Sequence, residues 1–126
     1  MKILSIVETA YRATLEEQDD TILWLNHVLK NAGADISLLL CGGAVNYAAR
    51  GQDATGLAFG TRRQVHPPAL DKDLDKMIGV GVAVYAVTED MRDCGLGQED
   101  VIGGLTLLAR GEIPVLFDRF DQVWHW

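Results

Sequence analysis

Apolar positions along the chain fall into short runs separated by amphipathic stretches. KILSIV (2–7) and ISLLL (36–40) have strand length, and GVAVYAV (81–87) is nearly continuous, the pattern of a strand buried on both faces. IPVLF (113–117) reads as a further strand, with Pro114 suited to its beginning or to an edge, and QVWHW (122–126) as a last extended piece. Between these runs the spacing turns helical. Thr14-Leu-Glu-Glu17 has the form of a capping box; Ile22, Leu25, Asn26 and Leu29 then share one face, and Gly33 stops the helix. AVNYAAR (44–50) predicts a short helix. Leu70, Leu74, Met77 and Ile78 predict another, ended by Gly79. Thr88 is suited to cap TEDMRD, with Glu89 and Asp90 in its first turn and Gly95 at its end. Gln98-Glu-Asp100 open a last predicted helix, with Val101, Ile102, Leu105 and Leu108 inward and Arg110-Gly111 closing it. Strands alternating with helices predict a parallel sheet covered on both sides. Residues 51–68 carry no period; a loop that long in a small domain is usually functional or holds a partner.

Length and charge narrow the picture. A chain of 126 residues with no linker, repeat or low-complexity segment is expected to be one domain, 1–126. Eleven basic against 18 acidic residues leave a net charge of −7, which argues against a general nucleic-acid or anionic-membrane binder. No apolar run approaches a membrane span. MKILSIVETAYR reads as a strand cut off by Glu8 rather than as a secretory signal, so a cytoplasmic location is expected. Two cysteines far apart in sequence suggest no disulfide framework.

Several motifs fail on inspection. Asp71-Lys-Asp73-Leu-Asp75 opens like a calcium loop, but Lys76 stands where glycine is needed and Val82 where glutamate is; a solvated helix face is the better reading. Gly79-Val-Gly81 precedes a strand instead of following one, so it is no dinucleotide fingerprint. His27, His66 and His125 have no ligand-spaced partner, and neither metal nor cofactor is expected. A receiver domain would need a carboxylate and a lysine at strand ends occupied here by Val87-Thr88 and Phe117-Asp118.

The chemistry then rests on the cysteines. In open α/β sheets ligands gather beyond the carboxyl ends of the strands, where Cys41 and Glu8 both fall. Cys41 also precedes a predicted helix N-terminus, whose amides would lower its pKa and hold a thiolate or persulfide, while Gly42 and Gly43 would open the backbone to a close ligand. The plainer reading is that Cys41 is a buried small apolar residue. Cys94 sits at the opposite helix pole, where a thiolate is disfavoured, and reads as structural. Thr88, at a strand end, and Arg62 and Arg63, which with His66 form the basic cluster of the long loop, join Gly42 and Gly43 as candidate binding positions; a solvated loop is the plainer reading for the arginines. The aromatic tail, with Trp124 and Trp126, predicts a covered surface, either on the sheet edge or between subunits.

VAVYAVTEDMRDCGL (82–96) followed by GQEDVIGGL resembles the DsrE/DsrF/DsrH (TusD/TusC/TusB-like) sulfur-relay superfamily. ISLLLCGGAVNYAARG is similar to that family's second strand and following helix start, with Gly43 and Val45 at the corresponding places. The resemblance covers most of the chain in order. It implies a three-layer α/β/α fold with a five-stranded, mainly parallel sheet, assembled as dimers, trimers or hexamers or with other sulfur-relay proteins. Active members carry persulfide sulfur on a cysteine just after the strand matching 81–87. That position falls at or near Val87 here, so the chain looks closer to the DsrF type lacking the usual cysteine. The expected function is intracellular sulfur trafficking, with Cys41 as sulfurtransferase-type persulfide carrier and Glu8 as base or orienter, or as a non-catalytic subunit. The alternative is a small-ligand-binding or structural oligomeric module with a pocket lined by Glu8, Cys41 and the 51–68 loop. A hydrolase-like or isomerase activity is a weaker third idea, since no acid–base pair is visible.

Overall fold

Residues 1–10 and 20–126 are described by a computed structural model; the Thr14–Glu17 capping box lies outside them. The apolar runs at 2–7 and 36–40 become strands β1 (Lys2–Val7) and β2 (Asp35–Leu40), and the run at 81–87 supplies β5 (Val84–Val87). With β6 (Thr106–Leu108) and β7 (Gln122–His125) they form one five-stranded sheet in the order β6-β5-β2-β1-β7, every neighbouring pair parallel. The tail is the fifth strand: Val123 lies beside Leu4 and Trp124 beside Ser5, and the Trp126 indole donates to the Ser5 hydroxyl at 3.0 Å.

Alternation along the strands sends side chains to two different cores. On one face Val7, Leu38, Leu40, Val84 and Ala86 pack against α1 (Thr21–Asn31), α2 (Leu70–Gly79), Met91 of α3 (Thr88–Asp93) and the 3-10 helix Gly42–Ala48. On the other, Leu4, Ile6, Leu39, Val87 and Leu108 are covered by Leu116 of the five-residue helix α4 (Ile113–Phe117), with Ile113, Phe117 and Phe120 around it. The chain is thus an α/β domain with helices on both faces of a parallel sheet. No helix among the described residues is long and apolar enough to cross a membrane.

Four local readings change. Residues 98–111 do not form a helix: Gln98–Asp100 is a single 3-10 turn, Val101 is extended and bridges Ala49, and the chain then enters β6. Gly103-Gly104, with φ +84° at Gly104, breaks any helical continuation, and Val101, Ile102, Leu105 and Leu108 share the spacing of a helix face by chance. IPVLF is helix α4 rather than a strand, with Pro114 in the first turn, where its missing N–H costs nothing. Thr88 does not cap α3; Val87 holds the cap position and no side chain caps it. Asp71, expected on a solvated face, is 5% exposed and accepts the backbone N–H groups of Gly51 and Gln52, fixing the base of the long loop to α2. That loop contains its own hairpin, β3 (Ala58–Phe59) and β4 (Arg62–Arg63), turned at Gly60 with φ +61°.

Candidate functional site at the carboxyl ends of the strands

Cys41 follows β2 directly. Its backbone N–H donates to Val7 O at 3.1 Å, and its thiol lies 3.9 Å from the same carbonyl. Strand alternation points the side chain to the α4 face, where it packs half-buried against the smaller core. β2 and β5 are neighbours with Leu40 beside Ala86, so Cys41 lies alongside Val87 one strand over. Val87 itself is fully buried and brings no polar atom to the end of β5.

The rim around Cys41 is carboxylate-rich. Glu8 follows β1, and its Oε2 lies 2.6 Å from His125 Nε2 at the end of β7. Asp90, on α3, accepts the Gly42 N–H at 2.8 Å and pairs with the Arg110 guanidinium. Glu89 accepts the Thr88 hydroxyl at 2.8 Å and the Arg110 backbone N–H at 2.9 Å, which hold its carboxyl below the usual glutamate range. Four strand ends, β1, β2, β5 and β7, therefore bring Glu8, Cys41, Thr88 and His125 to one end of the sheet, and α3 adds Asp90.

This geometry reverses the electrostatic expectation for Cys41. Burial first, then the carboxylates of Glu8 and Asp90, push the thiol from 9.0 up to about 11, against a smaller opposing pull from Arg110. The cause is local. Cys41 leads into a seven-residue 3-10 turn instead of an α-helix, and the leading amide of that turn, Gly42 N–H, is already taken by Asp90. Gly42 and Gly43 do not open the backbone to a ligand either. Gly42 has φ +53°, and a Cβ there would come within 3.2 Å of Glu8 Cγ; a Cβ on Gly43 would meet Ala10 at 3.3 Å. Both glycines are filled by their own chain.

Cys94 is the C-cap of α3 and is exposed rather than in contact with the core; Asn46 Nδ2 donates to its sulfur at 3.5 Å. Arg62 and Arg63 are exposed on the hairpin and are not among the charges acting on Cys41. Hollows of about 410 and 240 Å3 flank β6. Neither is lined by Glu8, Cys41 or the 51–68 segment, where the sequence places a ligand pocket. Among the described residues no group of three or more His, Cys, Asp or Glu side chains is arranged to hold a metal ion. The residues that sequence reasoning misses are Asp90, Arg110 and His125. The first two read as helix-end residues, and only the packing of α3 against the 3-10 turn after β2 brings Asp90 to Gly42.

No protein-family model matches this sequence, and no curated protein matches it. Among solved structures the chain is similar to the crystal structure of the ychN protein from E. coli, with a TM-score of 0.76 and 20% identity over 99% of this chain and 98% of that one. It is also similar to the structure of MTH1491, a protein of unknown function from Methanobacterium thermoautotrophicum, with a TM-score of 0.60 and 15% identity over 97% and 96% of the two chains. Likeness at these identities establishes the fold and nothing finer: the chain shares the α/β architecture of these structures, a five-stranded parallel sheet with helices on both faces, as expected from the sequence.

Proposed function

We propose that this protein is a DsrE/DsrF-like component of intracellular sulfur trafficking, with Cys41 as the thiol that accepts a sulfane sulfur. The observation that carries the reading is the register of β2 on β5. It puts Cys41 beside Val87, the position to which the resemblance assigns the family's sulfur carrier, so a neighbouring strand supplies the thiol that β5 lacks.

In the transfer, Cys41 gives up its proton to the Glu8–His125 pair and its thiolate attacks the outer sulfur of a donor R–S–SH. The donor S–S bond breaks as the Cys41 S–S bond forms, and the electron pair leaves on R–S, which takes up the proton. The products are Cys41 persulfide and R–SH. An acceptor thiolate reverses the sequence by attacking the terminal sulfur and restoring the Cys41 thiol.

A second reading, a non-catalytic or purely binding subunit, is favoured by one observation. A thiol at about 11 is ionised in roughly one molecule in ten thousand at neutral pH, so the isolated chain is a poor nucleophile. Incubation with a persulfide donor, then intact-mass measurement, separates the two. Gain of one sulfur atom, about 32 Da, that is lost in Cys41→Ser and kept in Cys94→Ser supports transfer. No adduct on either thiol moves the protein to the non-catalytic reading.

A further inference from the structure

The hairpin β3–β4 stands out from the domain. Its strands have two residues each, with Ala58 opposite Arg63 and Phe59 opposite Arg62, extended by the Gln64 N–H to Leu57 O bond of 3.0 Å. A two-stranded ribbon with no third strand is marginal in water. This one nevertheless exposes Phe59 at 68% and Val65 at 69%, beside two adjacent arginines. Arg62–Arg63 is the one place in the sequence where two of the 11 basic residues are adjacent, in a chain of net charge −7. Neither arginine has an ion-pair partner among the described residues. Exposed aromatic and arginine side chains together are the composition of an interface core.

The complementary surface is the rim around Cys41. Glu8 and Asp90 act there on the Cys41 sulfur against Arg110, two carboxylates against one guanidinium, and α3, which carries Asp90, also carries Glu89 and Asp93 with Arg92. The side chain of Glu8 is 54% exposed. Arm and rim also share an end of the molecule. The arm is anchored where Asp71, at the start of α2, holds Gly51 and Gln52, just after the 3-10 turn that leaves β2. Two copies meeting by their strand ends can therefore each present an arm to the other's rim, a two-fold, self-complementary arrangement.

We propose that the arginine hairpin of one copy of this chain docks on the carboxylate rim around Cys41 of a second copy, so that Arg62 and Arg63 complete the site across the subunit boundary. This rests on the reading of Cys41 as the reactive thiol and adds its regulation: the arriving guanidiniums offset Glu8 and Asp90, and the thiol becomes reactive only in the assembly. Lone copies keep it protonated.

Sedimentation velocity of the full chain at low and high salt tests the docking. Wild type is expected to associate at tens of micromolar, less so at high salt, and R62E/R63E to associate at least about tenfold more weakly. Asp93→Arg is expected to weaken association too, while an equimolar mixture of Asp93→Arg with R62E/R63E regains it, because the arginine arm then faces an unaltered acidic rim and the glutamate arm faces a rim that is no longer acidic. That recovery also shows that both variants fold. Monomeric wild type, R62E/R63E that associates like wild type, or a mixture that stays apart overturns the proposal. Alkylation of Cys41 at pH 8 should run several-fold faster in associated wild type than in R62E/R63E; equal rates overturn the regulatory half. The sulfur reading fails separately: arginine-dependent association with no persulfide adduct leaves the docking intact, and an adduct with arginine-independent association leaves transfer intact.

Discussion

The two faces of the sheet are built to different depths. One is buried under α1, α2, α3 and the 3-10 turn, with Tyr47, Leu38, Leu40, Leu74 and Met77 all below 2% exposure. Among the described residues the other is closed by one helix of five residues, over a core of Leu4, Ile6, Leu39, Val87, Leu108 and Leu116. Cys41 points into the thin side, at its open end. The difference assigns separate tasks. The deep face sets stability; the shallow face leaves a thiol half-buried, near enough to solvent for chemistry and dry enough to resist ionisation.

Truncation on the two faces tests that division most strongly. Leu74→Ala removes a fully buried side chain from between α2 and the sheet and is expected to cost about 3–4 kcal/mol in urea denaturation. Leu116→Ala, under a short helix free to settle inward, is expected to cost about 2 kcal/mol. Equal losses would break the comparison. The deep face also holds a buried polar hub next in size. Asp20 caps α1 by accepting from Ile22 N–H at 2.7 Å and Leu23 N–H at 3.2 Å, and its second oxygen accepts the Tyr47 hydroxyl at 2.7 Å. Asp20→Ala removes the shared acceptor of these three bonds and should cost about 2–3 kcal/mol, Tyr47→Phe about 1 kcal/mol. A double variant less destabilised than the sum would show that the groups act as one unit.

The deep face is also the more legible one in the sequence. Its strands are continuous apolar runs, and Leu70, Leu74 and Met77 keep a helical period that nothing contradicts. The shorter elements mislead on either face, Val101–Ile102 in the deep core and Ile113–Phe117 over the shallow one, because none is long enough to carry a period. Val101 to Leu108 satisfies a helical template although Gly103-Gly104 forbids it, and Ile113–Phe117 looks like a strand although Pro114 suits a helix start. In both cases the glycines and the proline, not the apolar spacing, hold the answer. At the site, the strand-end positions of Cys41 and Glu8 are readable because they depend only on where a strand stops. The electrostatics are not. The upward shift on Cys41 comes first from burial, then from Glu8 and from Asp90, which lies 48 residues beyond Gly42 and takes the leading amide of the turn after β2.

Gly42 gives a smaller, local test on the shallow side. Its φ of +53° and the 3.2 Å approach of Glu8 leave no room for a methyl group, so Gly42→Ala should cost about 1–2 kcal/mol and displace Glu8. Loss of stability without a change in Cys41 alkylation would mean that Glu8 is not held against the thiol by this contact.

The smallest effect concerns the thiol itself, measured in a Cys94→Ser background so that the exposed cysteine does not report. With the Cys41 thiol near 11, iodoacetamide alkylation should climb about tenfold per pH unit from 7 to 9 with no plateau. Glu8→Gln removes the larger of the two carboxylate contributions and should lower the thiol pKa, raising the rate at pH 8 by about threefold. An unchanged rate would leave burial and Asp90 as the cause. The same shift fixes a sign for stability. The folded state holds the proton more tightly than the unfolded chain, so the protonated thiol favours folding below about pH 9, and that contribution is lost as pH rises to about 11. The urea midpoint should therefore fall more steeply between pH 9 and 11 with Cys41 present than in Cys41→Ser, where lysine and tyrosine titrations are common to both. Parallel curves would mean that the shallow face does not keep the thiol dry, and the contrast between the two faces would then be one of thickness alone.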